Sequence, residues 1–350
     1  MRVPTPLSQL TTLRLGGPPA RLVEARGEDE LVAEVREADA AREPVLVLAG
    51  GSNVVVADEG FPGAVVRVLT RGIERHEEDG RVVLTAQAGE PWEAFVDACV
   101  AEGLAGVESL TGIPGSIGAT PIQNVGAYGQ EVAQTITGVR VLDREAKAVL
   151  ELPAAEAGFA YRSSTFKRTP GRWVVLAVTF ALARRPLSGP LEYAELARAL
   201  DVRPGEGAPL AEVREAVLAL RRGKGMVLDP ADPDSVSAGS FFTNPILGAD
   251  AFASLEARAG DAGRPPRFPE PDGRVKTSAA WLIERAGYTR GYGDPEGIAI
   301  SGKHTLALTN RGGGTTAELV ALARDIAGGV RERFGVELTP EPVLVGPDWP

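Results

Sequence analysis

Apolar positions divide this chain into stretches with a helical period and stretches of continuous or alternating apolar character. Leu31 and Val35 stand one turn apart between residues 28 and 41, which predicts a helix. PVLVL at 44–48 predicts a short buried strand, and VVV at 54–56 returns the chain to a sheet after a glycine turn. The β-rich runs AVVRVL and RVVLTAQAG follow residue 63. A helix is predicted over 91–102, with Pro91 in its first turn, where a missing N–H goes unnoticed. GVRVLD and VLELP read as paired strands, and RWVVLAVTFAL at 172–182 as a long strand of buried character. Residues 191–200 and 210–222 predict amphipathic helices. The second carries Val213, Val217 and Leu220 on one face and basic residues at its end, where they suit the helix dipole.

DPADPD, from residue 229, cannot continue a helix and marks a boundary. AGSFFTNP at 238–245 reads as a strand or turn edge, and 260–275, rich in proline, glycine and charge, as an exposed loop. KTSAAWLIERAG at 276–287 predicts a helix with serine near its start and glycine past its end. Short strands are expected at 298–300 and 305–309, around GKH. A long helix over 316–334 places Leu322, Ile326, Val330 and Phe334 in register. The chain shows no internal repeat.

Three stretches do not read as core. TGIPGSIGATPIQNVGAYG, residues 111–129, puts five glycines into nineteen positions. Residues without a β-carbon allow positive φ and close approach of backbone amides, so successive glycine turns can aim N–H donors at phosphate oxygens. AGGSN at 49–53 follows a strand and has the same capacity, though by itself it is equally a tight turn between two strands. FAYRSSTFK at 159–167 is too polar for its apolar neighbourhood unless it faces a ligand or is a solvated loop.

With 350 residues the chain exceeds one comfortable core and predicts two or three domains. Hydrophobic residues at 44% and charged residues at 24% fit a globular protein in water. The 37 basic against 47 acidic residues give a net charge of −10, which argues against nucleic acid, whose binding rests on neutralising phosphates. MRVPTPLSQL lacks the apolar core of a signal peptide and no later run is long enough for a bilayer, so a cytoplasmic protein without membrane insertion is expected. Cys99 is the only cysteine. It sits within the amphipathic PWEAFVDACVAEG, as a small buried hydrophobe rather than a reactive thiol. With His76 and His304 the only histidines, a His/Cys-rich zinc site cannot be assembled. G-x-S-x-G, Walker A and G-x-G-x-x-G sequences are all missing.

Two glycine turns that each follow a strand suggest a diphosphate-containing cofactor held by loops. LAGGSNVVV, TGIPGSIGATPIQNVGAYG, YRSSTFK, RRGKGMVLDP, AGSFFTNP and LTPEPV occur in this order over nearly the whole chain. Together they resemble the UDP-N-acetylenolpyruvoylglucosamine reductase (MurB) family of flavoenzymes. The resemblance implies an α+β fold, in which a two-domain FAD-binding module of the vanillyl-alcohol-oxidase type is joined by a separate α+β substrate-binding domain. On this reading residues 1–72, completed by 340–350, form the first FAD-binding domain, 73–229 the second, and 230–339 the substrate domain. Non-covalent FAD is expected on Ala49, Gly50, Gly51, Ser52 and Asn53, and on Thr111, Gly112, Gly115, Ser116, Gly118 and Ala119. The continuation Gln123, Asn124, Gly126, Ala127, Tyr128 and Gly129 is expected on the flavin and substrate side.

The family's reaction passes hydride from NADPH, a co-substrate, to the flavin and on to the enolpyruvyl ether of UDP-N-acetylglucosamine, and protonation then gives UDP-N-acetylmuramate for peptidoglycan. The resemblance assigns Arg162 to the substrate carboxylate, Glu341 to assisting that oxygen as a protonated acid, and Ser240 to protonating the carbon. Lys224, Asn244 and Lys276 match residues near the diphosphate and uridine. Tyr193 matches the tyrosine that swings over substrate in the longer of the family's two types. Arg162, Ser240 and Glu341, distant in sequence, must then serve one substrate, in a monomer. Two departures stand out: GKGMVL is longer than the linker of many members, and 263–275 aligns with no named motif. A covalent-flavin oxidase of the same fold normally needs a histidine or cysteine in the flavin loops, and neither loop has one. A sugar-nucleotide binding protein without redox activity leaves Arg162, Ser240 and Glu341 without a purpose.

Overall fold

The computed structural model describes residues 5–349. Its contacts divide the chain into two compact units. One takes Pro19–Gly51 and Phe61–Gly223. The other takes Pro6–Pro18, Ser52–Gly60 and the chain from Lys224 on.

The first unit begins with a parallel three-stranded sheet, Pro19–Ala25 beside Phe61–Val68 beside Val45–Leu48. Helix α1 (Glu28–Ala41) turns Leu31, Val32 and Val35 inward, as their spacing requires, and ends on Arg42 in the left-handed region. An antiparallel sheet follows, in the order Ala148–Pro153, Ile136–Asp143, Trp173–Arg184, Arg81–Gln87 and Ile73–Glu78. Its long strand Trp173–Arg184 is almost wholly buried. Helix α2 (Trp92–Ala101) presents Trp92, Phe95 and Cys99 to the same core, where Trp92, Phe95 and Phe180 pack as a ring cluster with centroids 4.9–6.1 Å apart. A short helix α3 (Thr165–Arg168) and the pair α4 (Ala194–Ala199) and α5 (Leu210–Gly223) complete the unit. The last two close a small core of Leu191, Leu196, Val213 and Val217.

The second unit has a sheet of Ser237–Ser240, Ala307–Asn310 and Ile298–Ile300, a small sheet of Ile246–Leu247, Val275–Lys276 and Phe268–Pro269, and a parallel pair, Val54–Val56 with Val343–Val345. Helices α6 (Ala249–Ala259), α7 (Ala279–Ala286) and α8 (Thr316–Phe334) cover them. Thr315 and Glu318 form a capping box at the start of α8, and the Asp58 carboxylate also accepts the N–H groups of Thr316 and Ala317. The unit's core is built on Phe241, Phe242, Leu282, Ile326, Val330 and Phe334.

Several elements differ from the sequence reading. Pro91 is the N-cap of α2 rather than its first-turn residue, and Tyr193 caps α4, which is shorter than 191–200. Lys276 lies on a strand, because Ser278 accepts Trp281 N–H and starts α7 later. The stretch 260–275 is not all loop, since Phe268–Pro269 pairs with Val275–Lys276. The exposed strand Ile73–Glu78 and helix α6 were not foreseen.

Candidate functional site

Within the first unit, folding brings the two glycine turns into backbone contact: a Cβ on Gly50 would lie 2.6 Å from Gly115 Cα. Gly51, Gly112 and Gly115 have φ of +61°, +70° and +132°, a region closed to most side chains. Gly115 is held from one side, since its carbonyl accepts Trp92 N–H at 3.1 Å and the Glu90 carbonyl accepts Ile117 N–H at 2.9 Å. Among the described residues no acceptor meets the amides of Gly50, Gly115 or Ser116. The Ser116 hydroxyl, on a residue only 6% exposed, is likewise without a partner there. A buried donor without an acceptor costs free energy unless a ligand meets it; of these groups Ser116 is buried, Gly115 half-buried and Gly50 exposed. A turn that offers the Ser116 hydroxyl and amide beside the Gly115 and Gly50 amides fits a diphosphate, as FAD would offer.

Not every glycine in the loop serves that cradle. Gly118 donates to Ala88 O at 2.8 Å, and a Cβ there would sit 2.5 Å from Ala88 Cβ, so it is needed for packing. Ala119 N–H goes to Ser116 O, and Gly112 N–H to the Glu93 carboxylate, which also accepts Thr111 Oγ1 at 2.8 Å. Glycine content alone could not separate these uses.

Downstream, Asn124, Tyr128 and Arg162 all have φ near +50° (48°, 50° and 50°), uncommon for residues with side chains though shared here by turn residues such as Arg42 and Asp79. They are tied together. Arg162 donates through Nη2 to Gly126 O at 2.7 Å and through Nη1 to Asn124 O at 3.5 Å. The Asn124 amide reaches Glu131 Oε2 at 2.7 Å and Ala160 O at 3.2 Å, and its oxygen accepts Ala133 N–H. Gly126–Ala127 pairs with Gln130–Glu131 as a tight hairpin. Ser164, fully buried, donates to Ile122 O at 2.5 Å and caps α3. The polar run 159–167 is therefore lashed to the glycine loop rather than solvated.

Sequence reasoning passed over the residues behind this loop. Glu108, wholly buried, accepts Gly106 N–H and Gln130 Nε2, and Gln130 in turn accepts Ser109 N–H. Arg221 of α5, 8% exposed, donates to Gly112 O at 3.1 Å, and burial pushes its pKa down to about 10 against the opposing pull of Tyr128 and Glu93. Tyr193, 45% exposed, stands edge-on to Tyr128 at 5.3 Å. Burial lifts the Cys99 thiol to about 12, the behaviour of an inert core residue.

In the second unit, Ser240 ends its strand just after a bulge at which Gly239 takes φ +75°, breaking the regular alternation of side chains. The residue after it, Phe241, accepts Glu341 N–H at 2.8 Å, and Phe242 bridges Pro340, so Ser240 and Glu341 lie on adjoining stretches of backbone, Glu341 in a bend just before the strand Val343–Val345. Asn53 is stitched to the same segment: its Nδ2 reaches Glu341 O at 3.4 Å and its carbonyl accepts Val343 N–H at 3.0 Å. Asn244 caps α7 by accepting Ala279 N–H at 3.0 Å. Lys276, whose strand partner Ile246 follows Asn244 by two residues, pairs with Glu270 at 2.7 Å. Lys224 is half-buried beside Gly225, whose φ of +66° lets the chain pass close to Asp234. Among the described residues no helix is long and apolar enough to cross a membrane.

Comparison with known proteins places the chain in a family. The family model described as "FAD binding domain" matches residues 19–150, and that described as "UDP-N-acetylenolpyruvoylglucosamine reductase, C-terminal domain" matches 230–345. The chain is 58% identical over 346 residues to the UDP-N-acetylenolpyruvoylglucosamine reductase of Thermobifida fusca, covering 97% of each. It is 59% identical over 342 residues to that of Salinispora arenicola, covering 97% of this chain and 94% of the other. The crystal structure of the Thermus caldophilus enzyme superposes with a TM-score of 0.65 at 25% identity, over 97% of both chains. The chain belongs to the UDP-N-acetylenolpyruvoylglucosamine reductase family of FAD-dependent oxidoreductases.

Proposed function

We propose that this protein reduces UDP-N-acetylglucosamine enolpyruvate to UDP-N-acetylmuramate in peptidoglycan precursor synthesis, with NADPH as the reductant and FAD held without a covalent bond. The observation that carries the reading is the buried, unpartnered Ser116 on a glycine turn that touches the Gly50 turn, in a chain whose relatives bear that enzyme's name. Bound FAD would accept hydride from NADPH and supply it to the β-carbon of the enolpyruvyl group.

Each protein group then has a task set by its chemistry. Hydride arrival places negative charge on the substrate's α-carbon and carboxylate. Arg162, its guanidinium already fixed by two loop carbonyls, meets that carboxylate with charge-assisted hydrogen bonds. Glu341 assists the same oxygen. Ser240 donates the proton to the α-carbon; a hydroxyl is a weak acid, so it acts only on a basic enolate and with neighbours that stabilise the charge left behind. Lys224, Asn244 and Lys276 hold the diphosphate and uridine, and Tyr193 leaves Tyr128 to cover bound substrate. The cell compartment is the cytoplasm, the working form a monomer, and the substrate domain spans 230–339.

Purified protein that shows no flavin absorbance even after FAD is supplied defeats the reading, and flavin that acid precipitation fails to release favours a covalent oxidase instead. Ser240→Ala tests the roles. NADPH should still bleach the flavin at close to the normal rate, while reoxidation by the enolpyruvyl substrate slows by about 10²–10⁴-fold. Equal loss in both halves removes Ser240 from proton donation.

A further inference from the structure

The Glu93 carboxylate lies against the glycine loop, although a negative charge near a diphosphate site works against anion binding. It stands in the first turn of α2 and makes two bonds to consecutive loop residues, one oxygen accepting the buried Thr111 hydroxyl at 2.8 Å and the other the Gly112 N–H. From the opposite side Arg221, in the last turn of α5, donates to the Gly112 carbonyl at 3.1 Å. Two successive peptide groups are thereby gripped, one by its N–H and the next by its C=O. Arg214 of α5 sits 3.4 Å from Glu93 Oε1, the oxygen that accepts Thr111, and 2.5 Å from Asp97, so part of the carboxylate's charge is balanced from α5.

Gly112, at φ +70°, has no side chain to stop its peptide from turning over. A turned peptide would take the Gly112 N–H off Glu93 and set the Thr111 carbonyl against that carboxylate, two acceptors face to face. A charged acceptor holds an N–H more firmly than a neutral one, so Glu93 fixes that orientation and with it the course of the loop into Gly115 and Ser116, whose amides meet no acceptor among the described residues.

We propose that Glu93 is a positioning residue for cofactor binding, one that anchors the Thr111–Gly112 peptide so that the loop after it brings the Gly115 and Ser116 amides to the FAD diphosphate. This rests on the flavin reading above. The test is titration of the folded, flavin-free protein with FAD, followed by quenching of flavin fluorescence, for wild type, Glu93→Ala, Glu93→Gln, Thr111→Val and the Glu93→Ala/Thr111→Val double variant. Glu93→Ala should weaken FAD binding by roughly tenfold to a hundredfold, and Glu93→Gln by less, because its amide oxygen keeps one bond. The double variant should lose much less than the product of the single effects, since both act through one interaction. Glu93→Ala binding FAD within twofold of wild type, or Thr111→Val multiplying fully with it, overturns the assignment. Should Glu93→Ala fail to fold, Glu93→Gln against Thr111→Val carries the same comparison. Wild-type protein that takes up no FAD refutes the flavin reading itself, a result separate from either.

Discussion

Gly50→Ala is the sharpest perturbation of the cradle, because it adds one methyl group where two backbones touch. The new Cβ would stand 2.6 Å from Gly115 Cα and 3.2 Å from Gly115 C, whereas ordinary contact begins at 3.4 Å, so one turn must retreat by about 0.8 Å (3.4 − 2.6). Neither side yields freely. Gly115 is pinned through its carbonyl to Trp92 N–H, and the strand Val45–Leu48 that leads into Gly50 is fixed in the parallel sheet. Overpacking of this kind costs about 1–3 kcal/mol, which, if it all falls on the loop that receives the diphosphate, corresponds to roughly 5- to 150-fold weaker FAD binding. Gly328→Ala is the matched control: it lies inside α8, a Cβ there meets nothing within 4 Å, and alanine is the better helix former by about 1 kcal/mol. It should raise thermal stability and leave FAD affinity alone. Both are read by fluorescence titration of the flavin-free protein with parallel thermal melts. Gly50→Ala binding FAD within twofold of wild type would refute the placement of the diphosphate between these turns.

Arg162→Lys should bind FAD normally but lose roughly 10²-fold or more in kcat/KM for the enolpyruvyl substrate, because an ammonium cannot hold the Gly126 carbonyl and a carboxylate in one fixed plane; an unchanged kcat/KM excludes the carboxylate role. Cys99, its thiol raised to about 12 by burial, should resist iodoacetamide at pH 8 in the native protein and label readily in urea, and quick native labelling contradicts the packing described. The hydrogen bond from Arg172 holds the Asp143 carboxyl below its ordinary value, with the N–H groups of Ala146 and Glu145 assisting. A lowered folded-state pKa adds stability that is complete above the ordinary carboxylate range and fades as pH falls through the lower value. Asp143→Asn should therefore narrow the difference in melting temperature between pH 6 and pH 3, and an unaltered difference assigns acid sensitivity to other groups.

Elements with a strong internal period are legible in the amino-acid order itself. Helices α1 and α8 fall at the bounds expected, because their buried residues recur at three and four and their caps are local: Arg42 in the left-handed region, and the Thr315–Glu318 box. Misses came where local pattern was thin. Every residue of Ile73–Glu78 is exposed, so no alternation marks it; the available signal was Asp79-Gly80, with φ of +50° and +73°, a turn that closes a hairpin onto Arg81–Gln87. Helix α6 buries only Phe252, Leu255 and Ala259 in eleven residues. The start of α7 was placed too early, because Lys276 belongs to a strand whose partners, Ile246–Leu247 and Phe268–Pro269, are distant in sequence.

The same division runs through the site. A glycine-rich loop announces that amides can be aimed, but tertiary partners decide which of them stay available: Gly118 spends its N–H on Ala88 and Gly112 on Glu93, while the amides of Gly115 and Ser116 meet no acceptor among the described residues. Arg162 follows the same rule. Its motif is short and polar, and nothing in YRSST foretells a left-handed arginine strapped to Gly126, beside an Asn124 and a Tyr128 in the same backbone region. Three residues with side chains in that region lie close together, Asn124 bonded to Arg162 and Glu131, and carry a mild backbone strain of the kind Arg42 and Asp79 also bear at turns. Such strain persists where surrounding structure imposes it. The hairpin Gly126–Ala127 with Gln130–Glu131, and the buried Glu108–Gln130 bond beneath it, are the parts that impose it here. Gln130→Ala should therefore disturb the setting of Arg162 before it disturbs the fold, lowering kcat/KM for the enolpyruvyl substrate without a matching fall in melting temperature, and a melting temperature that falls in step refutes this.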